Sequence, residues 1–328
     1  MDFITISQLN HDILDGLTKI PADIDMVIGI PRSGLLVANL ISLYMNKPMA
    51  DLDGFINGRI LASGKTKNTA ADVKNVEEVK KVLIVDDSSN TGQAICEAKE
   101  KLEQTYPDIQ KIYFVAYVNS RTKKIVDIWL RDVECRMFEW NYLHHIDLLR
   151  VCVDLDGILC EDPTAEQNDD GELYREFILN ATPKLVPTRK IGWIVTSRLA
   201  KYKYETELWL KKSGIRYDHL IMLENMTAEE RKKRGIHGWF KAKVFKSLPS
   251  ALLFIESDPS QAKIIADYTH KDVFCPYSGD FYKENSIRSM MHIIKRKLFF
   301  YCRFVAKKML PQKVYKRIAD FKNRKKMK

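Results

Sequence analysis

Residues 82 to 93 read Val-Leu-Ile-Val-Asp-Asp-Ser-Ser-Asn-Thr-Gly-Gln, and they constrain the fold more than any other stretch of the chain. An uninterrupted apolar run of this kind suits a buried strand of a parallel sheet. The strand is expected to end at two acids, Asp86 and Asp87. A short polar loop then closes on Thr91 and Gly92 and opens a helix. Adjacent carboxylates can accept hydrogen bonds from the two hydroxyls of a ribose. The N–H groups of the loop and of the first helical turn suit a phosphate. One segment can therefore hold a sugar diol together with its 5-phosphate.

The same pattern occurs upstream, where Met26-Val-Ile-Gly-Ile-Pro-Arg-Ser-Gly34 precedes the apolar residues 35–45. Further strands are expected near residues 48–52 and 112–118, and a helix over residues 91–103. Strands alternating with helices predict a parallel α/β sheet, with ligands at the carboxyl ends of the strands. Residues 29–34 and 86–92 both lie at such ends. Glycines let the backbone approach an anion closely, and Arg32 can bind phosphate oxygens bidentately.

In this order the two motifs resemble the pyrophosphate loop and the phosphoribosyl-pyrophosphate (PRPP) motif of type I phosphoribosyltransferases. The resemblance implies PRPP as donor, with Mg²⁺, and allows a homodimer. It puts Arg32, Ser33 and Gly34 on the pyrophosphate. It puts Asp86, Asp87, Ser88, Ser89, Asn90, Thr91 and Gly92 on the ribose and its 5-phosphate. Residues 57–75 have the composition of a mobile loop, and in the family a flexible loop closes over the reacting centre here. Two departures stand out. Asn90 occupies the place where purine-specific members carry an acid, and an amide cannot act as a base. Ala94 replaces a frequent hydroxyl residue. Trp129, Phe138, Trp140 and Tyr142 fall where the family places its acceptor hood, and they form either a short aromatic hood or plain core. A purine acceptor is therefore not expected. Asp51 and Asp53 are candidates for activating an acceptor hydroxyl.

A second strand ending in acids begins at Val151-Cys-Val-Asp154-Leu-Asp156-Gly157. It resembles the first motif of haloacid-dehalogenase-type (HAD) phosphohydrolases, and further motifs follow in that family's order. Thr196 ends an apolar strand, Lys241 or Lys243 opens a helix, and Glu256 and Asp258 end another strand. The resemblance implies Asp154 as nucleophile and Asp156 as general acid and base. Thr196 would hold a phosphoryl oxygen and the lysine would neutralise the pentacoordinate phosphorus. Asp154, Asp156, Glu256 and Asp258 are the candidate ligands for Mg²⁺, which oxygen donors suit. The stretches between Asp156 and Thr196 and between Arg198 and Lys241 are too short for a large cap domain, which implies an open site.

The 328 residues allow about two domains. The expected architecture is α/β, with two consecutive Rossmann-like parallel-sheet domains. A type I phosphoribosyltransferase fold would span 1–148, a HAD fold with minimal cap 149–285, and a basic amphipathic helix and tail 286–328. The start of the chain does not read as a signal peptide. Six scattered cysteines without a C-x-x-C pair fit a reducing compartment. The net charge is +10, yet residues 286–328 alone carry 15 Lys or Arg against one acid, which leaves −4 for the rest. In that tail Ile287, Met290, Ile294, Leu298, Tyr301, Val305 and Met309 recur at helical spacing. The pattern reads as a helix on an anionic membrane surface, or as a helix packed on the second domain. No nucleic-acid partner is expected.

Together these readings predict ribofuranosylation of a sugar acceptor, such as a lipid-linked glycan of a surface polysaccharide, in the cytoplasm on the inner face of the membrane. The first domain would transfer 5-phosphoribosyl and release pyrophosphate, and the second would remove the 5-phosphate. Two alternatives are a base phosphoribosyltransferase coupled to a 5′-nucleotidase, and a PRPP-sensing domain that controls a phosphatase.

Overall fold

In the computed structural model the described residues are 1–61, 73, 75–224 and 236–282. They divide into two compact units, Met1–His145 and Ile146 onward. The predicted tail over 286–328 and most of the loop over 57–75 lie outside the described residues.

The first unit runs β1 (Asp2–Ile4), α1 (Ile6–Gly16), β2 (Met26–Gly29), α2 (Gly34–Met45), β3 (Met49–Asp51), α3 (Leu52–Ile56), β4 (Lys81–Ser89), α4 (Gln93–Thr105), β5 (Gln110–Val118), β6 (Ile128–Asp132) and β7 (Arg136–Phe138). Its main sheet has the order β3-β2-β4-β5-β6, with every pair parallel. Alternation along β4 supplies two cores. Val82 and Ile84 pack in one cluster with Ile95, Ala98 and Leu102 of α4. Leu83 and Val85 pack in the other with Val37 and Ile41 of α2. A sheet covered on both faces is what an apolar run such as residues 82–85 requires.

The strand does not stop at the acids. β4 continues through Ser89, with Asp86, Ser88 and Ser89 in register against Val115, Tyr117 and Val118 of β5. Polar side chains made this stretch read as a loop, but the long neighbour β5 supplies the ladder. Helix α4 accordingly starts at Gln93, two residues later than predicted.

The second unit contains β8 (Val151–Val153), α5 (Glu172–Asn180), β9 (Ile191–Leu199), α6 (Lys203–Lys212), β10 (Tyr217–Leu223), α7 (His237–Ser247), β11 (Leu253–Ile255), α8 (Pro259–Thr269), β12 (Asp272–Cys275) and β13 (Asp280–Tyr282). Its sheet has the order β10-β9-β8-β11-β12-β13, parallel except for the edge pair β12–β13. Ala242 and Phe245 of α7 and Ala262 and Ile265 of α8 cover one face, against Cys152, Val195, Phe254 and Val273. The carboxyl ends of β8, β9 and β11 carry Asp154, Thr196 and Glu256. Between Asp156 and Thr196 the only helix of more than one turn among the described residues is α5.

Candidate functional site

In the first unit the two predicted motifs meet. Gly34 opens α2 directly against β4. A Cβ added there would lie 2.7 Å from the Val85 carbonyl oxygen and 3.1 Å from Asp86 Oδ1. The start of α2 and the acid end of β4 therefore meet at the carboxyl edge of the sheet. Ser33 and exposed Arg32 lead into the helix. The amino end of a helix favours an anion.

The two acids stay beside each other, and a side-chain hydrogen bond links Asp86 and Asp87. Asp86 is buried and its Oδ1 accepts the Asp87 N–H at 2.8 Å. Burial, and Asp87 beside it, push the Asp86 carboxyl up to about 8. Asp87 is also buried, and its Oδ2 accepts the Trp140 indole N–H at 2.9 Å. Trp140 stacks on Phe138, with ring centroids 4.5 Å apart. Burial pushes the Arg136 guanidinium down, while Asp87 is the strongest influence pulling it back up. Phe138 and Tyr142 are buried, and Trp129 and Trp140 pack on the two cores, so most of the aromatic stretch is core.

Beyond Ser89 the loop is pinned from β5. Asn119 Nδ2 donates to the Asn90 carbonyl at 2.8 Å, and Thr122 Oγ1 donates to the Ser89 carbonyl at 3.0 Å. Asn119 Oδ1 in turn accepts the N–H groups of Arg121 and Thr122. Sequence reasoning missed Asn119 and Thr122. Their only signal was a polar pair just after the apolar run 112–118. Gly92 has φ +88, and a Cβ there would sit 2.4 Å from Ile125 Cδ1. Asn90 and Thr91 are exposed at the tip, and Ser88 is half-buried.

Asp51 is committed elsewhere. It caps α3 by accepting the Gly54 N–H at 2.7 Å and pairs with Arg59 at 2.9 Å. The Gly54 bond, then Arg59, hold its carboxyl below the usual range. Asp53 pairs with Lys101 at the surface.

In the second unit Asp154, Thr196 and Lys241 are buried and line one cavity of about 770 Å³, together with Asp156 and Asp258. Lys241 Nζ donates to Asp154 Oδ2 and Glu256 Oε2, each at 2.8 Å, and to Gln261 Oε1 at 3.0 Å. Lys243 is exposed on the other side of α7. Burial, then Glu256, push the Asp154 carboxyl well above the usual range, while Lys241 pulls it down. Burial alone would lower the Lys241 ammonium, but Asp154 and Glu256 hold it firmly protonated. Thr196 Oγ1 accepts the Arg198 N–H at 3.2 Å.

Asp156 is not bare. Arg198, fully buried, donates Nε–H to Asp156 Oδ1 and Oδ2 at 3.1 and 3.0 Å. The expected set of four metal carboxylates is likewise not assembled. Among the described residues no group of three or more His, Cys, Asp and Glu side chains is arranged to hold a metal ion. Glu256 is spent on Lys241 and on the Asp258 N–H at 3.2 Å, and Asp156 is spent on Arg198. Asp154 shares Lys241 with Glu256, and its Oδ1 accepts the Leu155 N–H at 2.9 Å. With the Asp258 carboxylate and the Asp156 main-chain carbonyl it makes up the remaining candidate oxygen donors. Asp258 uses one oxygen to cap α8 through the Gln261 N–H at 2.8 Å. The Asp156 carbonyl accepts the Ser257 hydroxyl at 3.1 Å. Mg²⁺ commonly binds through one or two carboxylates with water and phosphate completing the shell, so this thinner set still fits it.

Residues 6–145 match the family model of the phosphoribosyl transferase domain. The first unit carries that domain. Orotate phosphoribosyltransferase of Sulfolobus acidocaldarius is 32% identical over 93 residues, 28% of this chain and 41% of the relative. The enzyme of the same name from Sulfurisphaera tokodaii is 37% identical over 78 residues, 24% of this chain and 36% of the relative. The chain thus spans about two fifths of the length of these relatives. Among solved structures, xanthine-guanine-hypoxanthine phosphoribosyltransferase of Helicobacter pylori is 17% identical, with 42% of this chain and 90% of that one covered and a TM-score of 0.31. Purine phosphoribosyltransferase of Pyrococcus horikoshii is 20% identical, with 43% and 95% covered and a TM-score of 0.31.

Proposed function

We propose that the chain transfers 5-phosphoribosyl from PRPP to a sugar acceptor, releasing pyrophosphate, and then removes the 5-phosphate. The observation that carries this reading is the pairing, in one chain, of two sites. One is a phosphoribosyl transferase domain whose α2 start abuts Asp86. The other is a buried lysine held between Asp154 and Glu256.

In the first step the start of α2, with Arg32 and Ser33, takes the pyrophosphate. The loop from Ser88 to Gly92 takes the 5-phosphate through its N–H groups, and Asp86 and Asp87 take the ribose hydroxyls. A single displacement on the α-anomer leaves a β-linked ribofuranose. Asn90 speaks against a purine acceptor. In the second step Asp154 attacks phosphorus and the ribose 5-oxygen leaves, forming an aspartyl-phosphate that water then cleaves. Asp156 exchanges the proton with the leaving oxygen and the attacking water, and Arg198 must loosen from it for the first of these transfers. Lys241 and Thr196 bind the phosphoryl oxygens. Asp154, Asp258 and the Asp156 carbonyl would hold Mg²⁺, which would supply the positive charge that a carboxylate and a phosphate otherwise lack.

A lipid-linked glycan on the inner membrane face suits the open phosphatase site and the basic composition of residues 286–328. Among the described residues no helix is long and apolar enough to cross a membrane. The second reading is a base acceptor with a 5′-nucleotidase step, favoured by the orotate phosphoribosyltransferase relatives. The test supplies PRPP and Mg²⁺ with either a glycan acceptor or a panel of bases that includes orotate. Glycan-dependent pyrophosphate release supports the proposal. Release with a base and not with the glycan sinks it.

A further inference from the structure

The cavity of the second unit is large for the reaction proposed there. Pockets that bury a drug-sized ligand run from about 300 to about 1,000 Å³. At about 770 Å³ this one has room for much more than a pentose phosphate. Its buried end holds Asp154, Thr196 and Lys241. Its exposed end is different in kind. Tyr277 and Leu185 line it with the carboxylate of Asp162 and with Lys184, whose ammonium is held on the Gly157 carbonyl at 3.1 Å. Tyr277 is 83% exposed, on the turn that joins the antiparallel strands β12 and β13. That turn is closed by the Gly279 N–H donating to the Cys275 carbonyl at 2.9 Å, with Gly279 at φ +73. A tyrosine on such a turn offers a large ring face at low entropy cost, having only two side-chain torsions. Asp162 lies beside the turn that follows Asp156, its Oδ2 3.0 Å from where a Cβ on Gly157 would be.

We infer that the exposed end of this cavity is a subsite for the neutral sugar that carries the ribosyl 5-phosphate, with Tyr277 as its ring platform and Asp162 as the charge that turns PRPP away. The inference rests on the phosphatase reading above. PRPP and the transfer product present the same ribose 5-phosphate to the buried end. They differ only at the anomeric carbon, which bears a pyrophosphate in one and an uncharged sugar in the other. A phosphatase fused to a PRPP-consuming domain must tell them apart, or it destroys its own donor. Selectivity is a difference of affinities and can come from repulsion of the wrong ligand. A carboxylate repels the pyrophosphate, yet it accepts hydrogen bonds from sugar hydroxyls. The aromatic face gains contact only when a ring is present. The phosphatase step therefore follows transfer and leaves unreacted donor alone.

The test uses the full chain with Mg²⁺ and four probes: methyl β-ribofuranoside 5-phosphate, a β-ribofuranosyl hexopyranoside 5-phosphate, PRPP and uridine 5′-monophosphate. Phosphate release gives kcat/KM for each. The wild type should prefer the disaccharide phosphate to the methyl riboside phosphate, and both to PRPP. Tyr277→Ala should lower the disaccharide-to-methyl ratio about tenfold, and Tyr277→Phe should keep it. Asp162→Asn should raise hydrolysis of PRPP relative to the methyl riboside phosphate by about tenfold. Because each readout is a ratio within one variant, a loss of folded protein cannot imitate it. Equal ratios in the wild type and Tyr277→Ala would overturn the subsite and leave the phosphatase reading standing. A preference for uridine 5′-monophosphate that depends on Tyr277 would overturn the sugar assignment. Hydrolysis of none of the four would sink the phosphatase reading and the subsite with it.

Discussion

At the scale of single residues, charge pairing decides what each acid can do. Lys241 is one ammonium shared by two buried carboxylates. Lys241→Met should lower phosphate release on the order of 100-fold. It should also destabilise the second unit by about 3 kcal/mol, since it leaves buried acids without their cation. Phosphate assays and urea unfolding check both. Asp86 makes a pH prediction. Its carboxyl stands at about 8 in the folded chain against an ordinary value of 3.8. Between those values the unfolded chain is ionised there and the folded chain is protonated. Stability contributed by this group therefore falls as pH rises across that window, by about 1 kcal/mol per pH unit, and levels off above it. Asp86→Asn should flatten the slope. Unfolding midpoints measured from pH 5 to pH 9 decide the matter, and an unchanged slope would show that Asp86 is not the group responsible. The choice between Lys241 and Lys243 was not legible in the sequence, because both sit on the same helix and only packing says which face is inward. The Arg198–Asp156 pair was equally hidden, since its partners are brought together from β9 and from the turn after β8.

At the scale of elements, the strand–loop–helix units were legible because their apolar runs are long and end in glycine or hydroxyl residues. The length of β4 was not. Its last residues are polar, and only pairing with β5 keeps them in the sheet. The loop that follows is shaped by Gly92 and held by Asn119. Gly92→Ala forces a side chain into a left-handed conformation and onto Ile125. It should cost about 1 to 2 kcal/mol of stability and weaken PRPP binding at least tenfold by titration calorimetry. Asn119→Ala removes the bond to the Asn90 carbonyl. It should weaken PRPP binding by about 1 kcal/mol while the cooperativity of unfolding stays intact. If PRPP binds equally well to both variants, the loop is not its phosphate site.

At the scale of the whole molecule, the chain divides into two units, and in the proposed reaction each step would have its own set of residues. A lesion in one site should leave the other step running. The pairing of a phosphoribosyl transferase domain with a second α/β unit was readable from motif order. The thin metal set, the occupied Asp156 and the commitment of Asp51 to α3 were not, since each depends on contacts across the fold. The most direct measurement incubates wild type and Asp154→Asn with PRPP, Mg²⁺ and the glycan acceptor, and follows pyrophosphate, phosphate and product mass together. The account predicts equal pyrophosphate from both, phosphate from the wild type alone, and a variant product heavier by one phosphate. A fully dephosphorylated glycan from Asp154→Asn would contradict it.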